Sequence, residues 1–272
     1  MSKIGHENSV KSESDAARGP APASAAASSG VRAQPPPKKQ HTYVLVHGAW
    51  HGGWCWKKIL PLLRAAGHDV HAPTLTGLGY LAHVAGTHIN LETHVQDILM
   101  YLEMEDLHDV VLVGHSYAGM VITGVADRVP SRLRSMIYVD AFLPESGKAM
   151  IDYTAAERRA AFIREGLDFG MSNPLPLHLF GLTSPRDIAW VAPRLVKQSF
   201  QTFFQPIRLF NNAHLRLPRT YVYCTDRSTG SFDQFAAKLR NDPGWKFFEI
   251  KTGHDAMITA PEELAKIIVE AA

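Results

Sequence analysis

Only two of the 272 residues are cysteines, Cys55 and Cys224. That leaves room for one disulfide at most, and a chain of this length can bury a core without one. Both are expected as reduced core thiols. No run approaches 18 apolar residues, so no membrane-spanning helix is expected. The N-terminus lacks the apolar stretch of a secretory signal, which makes the cytoplasm the expected compartment. Neither sign of charge prevails: 28 Lys/Arg face 26 Asp/Glu, a net charge of +2. Nothing in that balance calls for nucleic acid or an acidic partner. Even the small basic surplus sits in the first 40 residues, and the remainder is close to neutral. Metal-ligand spacing is absent too. Although His47, His51, His83, His88 and His94 crowd one region, no H-E-x-x-H or comparable pattern occurs, so neither a metal nor another cofactor is expected.

Residues 1–40 also lack large apolar side chains, alternating Ala, Ser, Pro and Gly with charges. Such a segment cannot offset the entropy of ordering it and is expected to be a disordered tail. From residue 42 the pattern becomes strand, loop and helix in alternation. Thr42–Val46, Asp69–Ala72, Val110–Val113, Ser135–Val139, Thr220–Cys224 and Trp245–Ile250 read as short strands. Trp54–Ala66, Leu91–Glu103, Tyr117–Arg128, Phe232–Arg240 and Pro261–Ala271 read as helices. Continuous apolar strands separated by helices of 10–15 residues imply an α/β fold, a mostly parallel sheet with helices on both faces. Residues 146–212 break the rhythm with prolines and large aromatics. They read as an inserted helical cap between the two core segments, 41–145 and 213–272. Some of its apolar residues could line a substrate pocket at the carboxyl edge of the sheet, although packing of the cap explains most of them.

Ser116 stands in Gly114-His115-Ser116-Tyr117-Ala118-Gly119, directly after a buried strand and directly before a helix. This is the setting of a nucleophile elbow, a tight turn that exposes the serine hydroxyl and tolerates only small residues two positions away, here Gly114 and Ala118. A serine needs a base, and the base needs a carboxylate behind it. His254 follows the last strand, and Asp226 follows the strand ending at Cys224. The order serine, acid, histidine is the one such elbows use. Asp140, after the strand ending at Val139, could also reach the base; Asp226 is preferred. Asp255 should point away from the base, and His115 should pack beneath the elbow. The developing oxyanion needs donors. The Tyr117 amide is one, and the Gly-rich loop from His47 to Trp54 supplies the other, assigned to Ala49. His47, Trp50, Trp190 and Phe203 are the candidate pocket residues.

The strings HGAWHGGWCW, LLRAAGHDVHAPTLTG, GHSYAGM, YVDAFLP, YVYCTD and GHDAM resemble the plant methylesterase and hydroxynitrile-lyase family of the α/β-hydrolase superfamily, with its bacterial carboxylesterase relatives. The resemblance spans residues 42–270 and is weakest in the cap. It implies an α/β-hydrolase fold, the triad Ser116, Asp226 and His254, and an oxyanion hole from the Ala49 and Tyr117 amides. The lyase members carry a threonine where this chain has Gly48 and a lysine where it has Asp255, which favours the esterase branch. The expected activity is hydrolysis of small-to-medium hydrophobic esters, including aromatic ones. The partner is a small-molecule ester, the chain acting as monomer or homodimer. Lactone hydrolysis or another cleavage on the same triad, and a small-molecule receptor on the same fold, remain alternatives.

Overall fold

The computed structural model describes residues 40–226 and 230–272. The disorder expected of the tail therefore lies outside the described residues, except for residue 40. Six strands form one sheet: β1 (Thr42–Val46), β2 (Asp69–His71), β3 (Val110–His115), β4 (Leu133–Val139), and, after a long intervening segment, two more. Helices α1 (Leu60–Ala65), α2 (Leu91–Met104) and α3 (Ala118–Arg128) connect the first four. All of β3 is buried, as befits a strand without polar side chains before His115.

Helix α2 begins at a capping box, in which the Asn90 side chain accepts from the Thr93 amide at 3.0 Å and Thr93 Oγ1 accepts from the Asn90 amide. The helix expected over 54–66 is interrupted. A 3₁₀ turn spans Gly53–Lys58 and α1 starts only at Leu60. Pro61 explains the break, since it lacks the N–H that would bond back into the preceding turn and biases Leu60 against a continuing helix.

Between the fourth and fifth core strands, the segment expected as a helical cap holds α4 (Ala156–Phe169), β5 (Met171–Ser172), α5 (Pro185–Val191), β6 (Gln198–Ser199) and α6 (Gln201–Phe204). Strands β5 and β6 pair antiparallel, a small feature that periodicity did not suggest. The core resumes with β7 (Arg219–Cys224), α7 (Asp233–Leu239), β8 (Lys246–Ile250), α8 (Ala256–Thr259) and α9 (Pro261–Ala271). The sheet order is β2-β1-β3-β4-β7-β8, and every pairing in it is parallel. Loops after β1, β3, β4 and β8 consequently meet at one edge. Cys55 and Cys224 are both buried and free. Among the described residues, no helix is long and apolar enough to cross a membrane.

Candidate active site

Three side chains, those of Ser116, Asp140 and His254, meet at that edge, the first two on strained backbone. Ser116 has φ 57° and Asp140 has φ 42°, both in the left-handed region that costs a residue with a side chain roughly 1–2 kcal/mol. The space around the serine is tight. A Cβ on Gly48 would come within 2.8 Å of His115 Nδ1 and 2.9 Å of Ser116 Cβ, and one on Gly119 would run into the Phe142 carbonyl. The Ser116 carbonyl accepts from Phe142 and Gly119, while its amide donates to Val139. The turn is thus stitched to β4 and the loop beyond it. Ser116 and His254 line the same cavity. No hydrogen bond joins the serine hydroxyl to the imidazole among the described residues; such bonds commonly tighten only when substrate binds.

The imidazole has its carboxylate, but it is not the expected one. His254 Nδ1 donates to Asp140 Oδ2 at 2.6 Å, and both groups are buried. The other Asp140 oxygen accepts from the Cys224 amide at 3.3 Å, and the Asp140 amide donates to Val222 O at 2.7 Å. Asp140 is therefore pinned between the ends of β4 and β7 and aimed at the base. Burial raises its carboxyl above the ordinary value, while the bond from His254 acts the other way. Asp226 does not stand behind His254. It is exposed, and its amide donates to Thr252 O, which draws the chain leaving β7 along β8 rather than inward. A partial signal was present in the sequence: Asp140 directly follows the buried apolar run Met136–Val139, whereas Thr225 separates Asp226 from its strand. An Asp so placed is buried and must find a partner.

Ala49 and Tyr117 both line the cavity, and neither amide donates to a protein acceptor among the described residues. Two free N–H groups beside a serine can receive an oxyanion. The cavity encloses about 530 Å3, including its open mouth, and its apolar wall is built from Trp50, Phe142, Met150, Phe162, Phe180 and Phe232. The Phe232 ring stacks on His254 at 4.8 Å. Of the other candidate pocket residues, none lines this cavity. His47 is fully buried and holds the loop; Trp190 packs edge-on against Trp54; Phe203 packs behind Trp50 and Tyr117. Sequence identified apolar side chains but could not say which layer of the cap each occupies. Among the described residues, no three metal-ligating side chains come together. A larger cleft of about 1020 Å3, beside β4 and β7, holds neither Ser116 nor His254.

His115 lies under the elbow, its Nε2 donating to His254 O at 2.9 Å. Burial drives its imidazole well below the ordinary value, so it is neutral. Asp255 turns away from the cavity, with Oδ2 3.1 Å from His51 Nε2.

Comparison with known proteins agrees with this architecture. A model of the alpha/beta hydrolase family matches residues 43–267. The chain is 42% identical over 235 residues to the carbendazim hydrolyzing esterase of Nocardioides sp. (strain SG-4G), covering 82% of this chain and 96% of that protein. It is 30% identical to salicylic acid-binding protein 2 of Nicotiana tabacum, covering 86% and 98%. An extracellular alpha/beta-hydrolase from a Paenibacillus species superposes with a TM-score of 0.75 at 26% identity, covering 85% of this chain and 99% of that one.

Proposed function

The chain belongs to the alpha/beta hydrolase family, and from that premise we propose that it is a serine carboxylesterase working through Ser116, His254 and Asp140. The observation that carries the assignment is the buried 2.6 Å bond from His254 to Asp140, at the edge of a cavity that Ser116 shares. Relatives that are esterases support the same activity. His254 takes the Ser116 proton as the hydroxyl attacks the ester carbonyl. The tetrahedral oxyanion is received by the Ala49 and Tyr117 amides, preorganised donors that need no reorientation as charge develops. His254 then protonates the departing alcohol, and water clears the acyl-enzyme by the same route in reverse. Asp140 fixes the tautomer that leaves Nε2 facing the serine and stabilises the imidazolium.

The wall of the cavity selects hydrophobic groups of small to medium size, and its aromatic rings suit an aryl acyl or alcohol moiety. Cyanohydrin cleavage is disfavoured, because Gly48 offers no hydroxyl and Asp255 is buried away from the cavity. The substrate class is tested with a panel of p-nitrophenyl esters of increasing chain length, methyl aryl esters, a lactone and carbendazim, the compound in the bacterial relative's name. Short and aromatic esters should give the highest kcat/KM, falling as the acyl chain outgrows the cavity. Lactone turnover exceeding that of every open ester would contradict the assignment.

A further inference from the structure

The loop after β1 presents two successive peptide units, each held by a histidine. His47 Nδ1 lies 2.9 Å from Gly48 O, while its Nε2 receives the Leu75 amide at 3.0 Å. One nitrogen faces an acceptor and the other a donor, so this ring is neutral. A trans peptide points its N–H opposite to its carbonyl. The bond that fixes the Gly48 carbonyl therefore turns the Ala49 N–H the other way, toward the cavity that Ala49 lines.

His51 holds the next unit under different conditions. Its Nδ1 lies 2.7 Å from Ala49 O and its Nε2 3.1 Å from Asp255 Oδ2. The far end of the same peptide, the Trp50 amide, donates to Gln198 Oε1 of β6 at 2.8 Å. Both nitrogens of His51 thus face oxygen acceptors. A neutral ring has one N–H, so its second nitrogen would meet Asp255 well only if that carboxyl kept its proton; against a carboxylate, both nitrogens must donate and the ring is protonated. His51 is 1% exposed and Asp255 0%, so water does not substitute for either partner.

We propose that His51 is a buried imidazolium paired with the Asp255 carboxylate, and that this ion pair is a positioning element: it fixes the Ala49–Trp50 peptide on the far side of the Ala49 Cα and so steadies the Ala49 N–H that His47 orients as an oxyanion donor. The groups around the pair agree with this charge state. His115, at the end of β3, has Nε2 3.8 Å from Asp255 Oδ1 and is neutral. His47, on the same loop, is lowered to about 3, first by burial and also by repulsion from His51. Cys55, in the 3₁₀ turn, is raised by burial and by the charge of Asp255. His254 precedes Asp255, and from the segment between β4 and β7 the Phe180 ring stands 5.3 Å from His51 while the Phe180 carbonyl accepts from the Asp255 amide. Burial alone would lower the His51 imidazole, but the charge and hydrogen bond of Asp255 outweigh it and hold it above the ordinary value. Burial likewise works against ionised Asp255, and His51 reverses it, leaving the carboxyl below its ordinary value. The His51 contribution to stability is present below pH 6.5 and lost as pH rises through its raised value. That of Asp255 is present above pH 3.8 and lost as pH falls through its lowered value.

The positioning role rests on the esterase reading, whereas the charge state does not, so the two fail separately. Long-range ¹H–¹⁵N correlation spectra of the full-length chain at pH 8, with His51 assigned by its loss in His51→Gln, report both ring nitrogens directly. Two protonated nitrogens are expected in the wild type and one in Asp255→Asn, where the amide donates to Nε2. On p-nitrophenyl acetate, Asp255→Asn and His51→Gln should each lower kcat about 10- to 100-fold with KM within about threefold, because the oxyanion forms only on the way to the transition state. A singly protonated His51 in the wild type overturns the ion pair, a result that needs no variant to fold. Unchanged kcat in whichever variant folds overturns the positioning role.

Discussion

Asp140→Asn should lower ester turnover about ten-thousandfold, while Asp226→Asn should leave it within about twofold. The first figure follows from what the carboxylate does. Asp140 accepts a hydrogen bond from His254 Nδ1–H at 2.6 Å, which holds the other nitrogen free to act as base. An amide in its place can donate to Nδ1, favouring the tautomer that presents a proton, rather than a lone pair, to the serine. Losing the negative charge also removes the compensation for the imidazolium that forms during attack. Asp226, exposed on the turn after β7, has neither duty. Steady-state kinetics on p-nitrophenyl acetate, with circular dichroism as a check that both variants fold, separate the two. Equal loss in both would show that the turn after β7 closes onto the base during turnover.

Ser116→Ala should have the largest effect, a loss of kcat of about 10⁴-fold or more, with substrate binding retained. Removing the hydroxyl leaves the Ala49 and Tyr117 donors and the aromatic wall in place, so the variant should still bind ester and show a residual rate above water. The substitution deletes one oxygen from a side chain with no protein hydrogen bond among the described residues. The thermal midpoint should therefore stay within about 2 °C of the wild type. Retained turnover would place the nucleophile elsewhere and dismantle the mechanism.

The fold was legible because its signals are local. Val110–Val113 is apolar throughout and is followed by a serine between small residues, and that string has few structural solutions. His254 was legible by its place after the last strand. The carboxylate that meets it was not, since Asp140 and Asp226 both follow strands in an acceptable order. What separates them is a set of contacts between distant segments: the Val222 and Cys224 bonds that pin Asp140, and the Thr252 bond that holds Asp226 outward. The cavity wall was hidden for a similar reason. Phe142, Met150 and Phe232 face the site while Trp190 and Phe203 do not, and the choice depends on packing depth rather than on composition. The His51–Asp255 pair bridges 204 positions. In sequence, His51 was one of a histidine cluster and Asp255 a neighbour of the base, and neither position advertised the other.

Turnover by this route requires that Ser116 become acylated. Intact mass and peptide mapping after exposure to a p-nitrophenyl alkylphosphonate, a reagent that traps an activated serine, test that most directly. One adduct per chain on the peptide containing Ser116, absent from Ser116→Ala and strongly slowed in Asp140→Asn, is the predicted result. An adduct on another residue, or ester turnover that the reagent leaves untouched, would contradict it.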